Sequence, residues 1–309
     1  MTSFSGLRSR TCAALAAGLA AALLAPSAAS AQTPTPAPQQ PQFDGFTMTA
    51  FDPQKHSFRF ANAWNGSLSI TLPIVGRVNL ASFEFGLCGG MSAAALDSFR
   101  TKLLVPTDVT SAPNSGPLRK YVFDRQVDSL KASGAYALRT FLDWQARPLE
   151  SKKVAGITIR KGTIPLTIAE FNSKIRVRLR DGHPVPIGLV NVSGLSAPWR
   201  NHQVLAIGYR NRPGNHVTVA IYDPNYPISN RNPDGIAFLH TQNRKLTLTP
   251  DPNAAQAPGS PRFRGFFRIP YSQKTPPKPP WSEEPPPQPE PTVPVRVPVG
   301  QLTPVALQR

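Results

Sequence analysis

Cysteine is almost absent from this chain, with only Cys12 and Cys88 among 309 residues. Cys12 falls in an N-terminal stretch that reads as an export signal, so the exported protein keeps a lone thiol and cannot close an internal disulfide. Exported domains ordinarily lean on disulfides; this one must be held by a hydrophobic core. Acidic residues are also scarce: 17 Asp and Glu stand against 34 Lys and Arg, a formal charge of +17. Losing Arg8 and Arg10 with the signal lowers that to +15. Such an excess predicts weak attraction to anionic cell-envelope polymers. The basic residues are scattered and no nucleic-acid module is present, which argues against a specific nucleic-acid partner. The apolar run Ala13 to Leu24 is short for a membrane span and no other run approaches one, so no transmembrane anchor is expected. H-E-x-x-H, P-loop and dinucleotide-binding glycine patterns are missing, and His56, His183, His216 and His240 lack metal-ligand spacing. No metal or organic cofactor is expected.

What is present organises the chain into four parts. Residues 1–31 read as a signal peptide, with basic Arg8 and Arg10, the apolar run and an Ala29-Ser30-Ala31 cleavage site. That predicts a secreted or periplasmic protein. Residues 32–42 are a Pro/Thr/Gln linker, and residues 275–309 a proline-rich tail without a core of its own. Between them, 43–274 has the pattern of an α+β domain. Apolar positions recur at helical spacing from Gly89 to Leu103, Leu118 to Lys131 and Ala135 to Arg147, the last two parted by Ser133-Gly134. Thr167-Ile168-Ala169-Glu170 has capping-box form and predicts a helix from there to Asp181-Gly182. Strands are expected at Phe58 to Phe60, Leu68 to Val75, Val185 to Val192, Val204 to Tyr209, His216 to Tyr222, Ile236 to Leu239, Lys245 to Leu248 and Phe263 to Pro270. Pro184 and Pro186 confine the start of the third to an edge or entry.

The remaining thiol, Cys88, lies in Gly86-Leu87-Cys88-Gly89-Gly90-Met91 at the predicted start of a helix. Unpaired N–H groups and the dipole of a helix N-terminus favour a thiolate, and Gly89 and Gly90 leave the backbone bare for a substrate carbonyl. A nucleophile there needs a base and an orienting group. His202 opens a predicted strand and Asp223 closes the next. If Tyr209 pairs with His216 across the hairpin, His202 lies opposite Asp223, with Cβ atoms about 4.5–5.5 Å apart.

Cys88-Gly89, His202-Gln203-Val204-Leu205-Ala206-Ile207-Gly208-Tyr209 and Asp223-Pro224 resemble, in that order, the papain-like cysteine peptidase superfamily, and most closely bacterial C39-like peptidases. The likeness implies a papain-like α+β fold, with the nucleophile at a helix start in an N-terminal helical part and an antiparallel sheet C-terminal. It implies Cys88 as nucleophile, His202 as general base and then acid, Asp223 as orienter, and a peptide or protein as substrate. The family's side-chain oxyanion donor is a glutamine a few residues before the cysteine. None stands between Asn79 and Leu87; Ser82 is at about that offset, with Asn79 and Asn62 as further candidates. Two other readings stay open: transglutaminase-like acyl transfer to an amine, using the same residue order, and a catalytically degenerate papain-like domain serving as a cell-surface binding module, with its basic face and proline tail as the working parts.

Overall fold

In a computed structural model the described residues are 43–64, 69–72, 76–79, 86–194, 200–214, 216–242, 245–253 and 262–278. The expected signal peptide, the linker and the tail beyond Lys278 lie outside them. A short strand β1 (Thr47–Met48) and a helical turn α1 (Pro53–His56) lead to a hairpin of β2 (Ser69–Leu72) and β3 (Gly76–Asn79). Next come α2 (Cys88–Thr101), α3 (Gly116–Gln145) and a second hairpin, β4 (Lys152–Val154) with β5 (Ile157–Arg160). Helix α4 (Thr163–Glu170) runs through one wide π turn (Phe171–Ile175) into α5 (Arg176–Arg180). The rest is strand: β6 (Val185–Val190), β7 (His202–Arg212), β8 (His216–Tyr222), β9 (Ala237–Gln242), β10 (Lys245–Thr249), β11 (Arg262–Phe263) and β12 (Gly265–Arg268). The class is α+β, helices first and antiparallel sheet second.

The sheet runs β11-β10-β9-β8-β7-β6-β12, with β1 added beside β7. Residues Arg262–Arg268 supply both ends of that order, so the sheet curls until a single stretch of chain meets both edges. Curling gives it an inside. Val185, Ile187, Leu189, Val204, Ala206, Val219, Ile221, Leu239, Leu248 and Phe266 pack there, against Phe171, Ile175 and Leu179 of the α4–α5 segment. On the other face Leu205, Ile207, Ala220 and Tyr222 receive Met91, Ala94 and Ala95 of α2. Each large apolar side chain so buried stabilises the fold by about 1.5–3 kcal/mol, in line with a domain that has no disulfide.

Several local expectations need correction. Phe58 to Phe60 forms no strand; both phenylalanines are buried in the core beside α2, where packing rather than a ladder explains the alternation. The helix expected to open at Thr167 begins at Thr163 after Gly162. Pro165 is tolerated in its first turn because N–H groups there have no intrahelical partner. Thr167 is therefore not a cap; its buried hydroxyl instead accepts the Phe266 N–H at 3.0 Å. The break at Ser133-Gly134 is as the sequence predicts, with Ser133, Gly134 and Ala135 all at positive φ. Pro186 pairs with Leu205 of β7, and on its other side lies past the Ile187–Arg268 end of the β12 ladder, where its carbonyl accepts from Ile269 at 2.9 Å. Among the described residues no helix is long and apolar enough to cross a membrane.

His240 shows how the core constrains a titratable group. It is buried in β9, with Nδ1 3.1 Å from the Thr218 hydroxyl and Nε2 2.9 Å from that of Thr249. Burial, reinforced by Arg212 and Arg210, lowers its pKa to about 4 although the Asp251 carbonyl works the other way. The unfolded chain then binds a proton near pH 6.5 that the folded chain refuses until about pH 4. Stability from this group is present above that window and lost as pH falls through it, by about 3 kcal/mol. Urea denaturation of the wild type and His240→Asn at several pH values checks this; equal acid sensitivity in the variant refutes it.

Candidate active site

Cys88 is the first residue of α2. Leu87 occupies the capping position and supplies no side-chain acceptor, although its carbonyl takes the Met91 N–H at 2.8 Å. The N–H groups of Cys88 and Gly89 consequently have no partner among the described residues, while that of Gly90 donates to Gln126 Oε1 at 2.9 Å. Unpaired donors at a helix start carry partial positive charge and favour an anion beside them. Cys88 is buried, with 8% of its residue surface exposed.

His202 opens β7 opposite Leu189, and Asp223 follows the last residue of β8. Pro224 lacks an N–H and ends the ladder there, and the Tyr226 N–H closes the following turn on the Asp223 carbonyl at 2.9 Å. The carboxylate is buried. Its Oδ1 lies 2.7 Å from His202 Nε2 and accepts the Asn225 N–H at 2.9 Å, whereas Oδ2 is buried with no partner. With Nε2 committed to Asp223, Nδ1 is the nitrogen left for Cys88, whose sulfur lies near enough to raise the pKa of the ring. The His202 side chain is 12% exposed. Burial alone pushes its pKa down. The Asp223 charge, then the Cys88 sulfur nearby, with the hydrogen bond to Asp223, outweigh burial and hold it well above 6.5. The ring is therefore suited to holding a proton beside the Asp223 carboxylate.

Cys88, His202 and Asp223 are thus brought together, but not by the expected pairing. Arg212, rather than Tyr209, lies opposite His216. The register then shifts between Ala206 and Gly208, so that Leu205 pairs with Tyr222. Carried one residue further, this sets Asp223 across from Val204, with His202 a diagonal step away on the same face. Without the shift the two side chains would point to opposite faces. The bulge has a visible anchor: Thr49 donates both its N–H (2.8 Å) and its hydroxyl (2.9 Å) to the Ile207 carbonyl.

The glycines have tasks other than those expected. A Cβ on Gly90 would fall 2.0 Å from the Val122 carbonyl, so this glycine permits close packing of α2 on α3 and does not face a substrate. A Cβ on Gly89 would meet the Gln203 amide at 2.4 Å, so its open side is filled by that residue. Ser82 lies outside the described residues, and Asn79 ends β3. Asn62 is close: its amide packs on Gly86, its Nδ2 donates to Asn225 Oδ1 at 3.1 Å, and its Oδ1 is buried without a partner. Asn225, Gln126 and Gln203 were not singled out beforehand. Asn225 had the signal of following Asp223-Pro224 and Gln203 that of following His202; Gln126 had none.

Chemically, the cluster joins a sulfur at a helix start with no side-chain cap, an imidazole within its reach, a carboxylate holding that imidazole and backbone N–H donors without a partner among the described residues. Those are the parts acyl transfer requires. Among the described residues no group of three His, Cys, Asp or Glu side chains gathers to hold a metal ion. No family model matches this chain, and no curated protein or solved structure does so either.

Proposed function

We propose that the protein is an exported thiol hydrolase of papain-like type, a cysteine peptidase using Cys88, His202 and Asp223. The observation that carries the reading is the His202 ring, held by Asp223 at 2.7 Å on one nitrogen, with the Cys88 sulfur close enough to raise its pKa. The Cys88 thiolate adds to an acyl carbonyl of a peptide, and the Cys88 N–H stabilises the oxygen that becomes negative. His202 gives its proton to the departing amine as the C–N bond breaks, leaving a thioester and a neutral imidazole. The imidazole then takes a proton from water while the water oxygen adds to the thioester. Cleavage of the C–S bond releases the acid and restores the thiolate beside imidazolium.

Two measurements test this. Iodoacetamide labels Cys88 faster than a model thiol at neutral pH, because the sulfur is already paired with imidazolium. Cys88→Ala takes peptide hydrolysis to background. Slow, ordinary labelling makes the thiol structural and sinks the proposal. An added primary amine that is incorporated in preference to hydrolysis moves the assignment to transglutaminase-like transfer. Capture of a cell-surface partner that survives Cys88→Ala, with no turnover by the wild type, assigns a binding module.

A further inference from the structure

The β4–β5 hairpin takes no part in that site. Every residue of both strands is exposed, so the ribbon stands away from the body of the protein. A two-stranded ribbon is at best marginal alone in water, and this one is apolar where it meets solvent most fully. Val154 is 60% exposed, Ile157 71% and Ile159 61%. Val154 pairs with Ile157 across a two-residue turn of Ala155 and Gly156, both at positive φ (49° and 81°). Hairpin turns of that kind favour Asn-Gly or Asp-Gly. Here Ala155 adopts a backbone that disfavours a Cβ and presents a methyl group in place of a polar side chain. The end of the ribbon is thus entirely aliphatic.

Behind it comes a cationic collar. Lys153 pairs with Thr158, Lys152 with Arg160, and Lys161 follows. Lys152 is two residues behind Val154, roughly 7 Å along a strand. The base of the ribbon opens on a cleft of about 360 Å³ whose walls include Arg147, Lys152, Arg160 and Arg264 and no carboxylate. Asp143 pairs with Arg147 at 2.8 Å, and Glu150 is the lone acid on the approach to the ribbon. Arg264 donates from Nη2 to the Arg147 carbonyl at 2.6 Å, but its Nε–H is buried without a partner. A concentration of cations with a donor unspent points to an anion.

We propose that this hairpin docks the protein on a bilayer containing anionic lipid. Val154, Ala155, Ile157 and Ile159 enter the interfacial zone, while Lys152, Arg160 and Arg264 take headgroup phosphates in the cleft. The spacing suits the purpose, since interfacial segments bury their apolar side about 5–10 Å deep, with cations at headgroup level. The proposal is independent of the thiol chemistry.

Sedimentation of the full chain with vesicles tests it, using phosphatidylcholine alone and phosphatidylcholine mixed with phosphatidylglycerol. Binding is expected only to the mixture and falls with added salt. Ile157→Asp lowers it about ten-fold or more. Arg160→Glu, which reverses one charge, lowers it about thirty-fold. Both residues are exposed, so circular dichroism and melting stay unchanged. Ile157→Trp gains blue-shifted emission, relative to wild type, on the anionic vesicles alone. Wild-type binding by Ile157→Asp, or an unshifted tryptophan, overturns insertion in favour of surface attraction. Preference for soluble polyphosphate regardless of Ile157 makes the partner an anionic polymer. Self-association that Ile157→Asp abolishes, without vesicle binding by the wild type, makes it a second copy of the chain.

Discussion

Asp223→Asn is expected to lower turnover by about 10³–10⁴ while leaving the fold intact. Asparagine keeps the shape and an oxygen at the position of Oδ1, so the Asn225 N–H and the His202 ring retain an acceptor. The charge is what disappears. In the wild type, burial works against a protonated His202 and the carboxylate is the largest influence opposing it. With that charge gone, the raised pKa falls and the imidazolium beside Cys88 is lost at neutral pH. The sign can be followed directly by NMR of the His202 ring. In the wild type its titration lies well above pH 6.5, so the stability it contributes is fully present below 6.5 and fades as pH rises through the raised value. In Asp223→Asn both the midpoint and that pH dependence move down. Cys88 alkylation slows in parallel. Stability falls most below pH 6.5, where the contribution of the protonated ring is lost, and less at higher pH, where losing a buried charge offsets part of the cost of burying an amide beside a site that offers it no partner. A variant that loses stability but keeps turnover would make the Asp223–His202 contact a structural strut.

The legible parts of this molecule were those written in local chemistry. Helical spacing after Cys88, the Ser133-Gly134 break and the buried strands all follow from period and turn residues, and so does the α+β order. Both ends of the His202–Asp223 contact were also visible, because a strand opening on histidine and another ending in Asp-Pro leave distinct marks. The pairing was not. Whether β7 and β8 meet in one register or another depends on a bulge pinned by Thr49, more than 150 residues from the carbonyl it binds. No pattern within the hairpin announces that. The same holds for Gly90, which looked like a bare approach for substrate until Val122 of α3 was seen against it. Thr167 misled for a related reason: capping chemistry and a long-range bond to Phe266 call for the same residue type.

The largest stability effect is expected from Asp97→Ala, a residue with no mark in the sequence beyond an acid on the apolar side of α2. Asp97 and Arg125 are both buried, paired at 2.7 Å through Oδ2 and Nε. Tyr121 donates to Oδ2 at 2.7 Å, while Tyr271 (2.5 Å) and the Lys274 N–H (2.8 Å) donate to Oδ1. Burial, then the bond to Asp97, pushes both tyrosines above their ordinary range, so they remain donors throughout physiological pH. Arg125 reaches onward to Asp128 at 2.9 Å and the Ser272 carbonyl at 2.9 Å. One carboxylate therefore ties α2, α3 and the segment leading to the proline-rich tail. Deleting it strands a buried guanidinium that half-exposed Asp128 compensates only in part, and the expected loss is about 3–5 kcal/mol by urea denaturation. Proteolysis after Lys274 should accelerate as well, since the bonds holding that segment are gone. The double variant Asp97→Ala/Arg125→Met recovers much of the loss, because no unpaired charge then remains inside. Activity per folded molecule stays near wild type, for the network lies along α2 away from its Cys88 end. A loss below about 1 kcal/mol in the single variant would mean that desolvation had already cancelled the pair, leaving the tail segment held by packing alone.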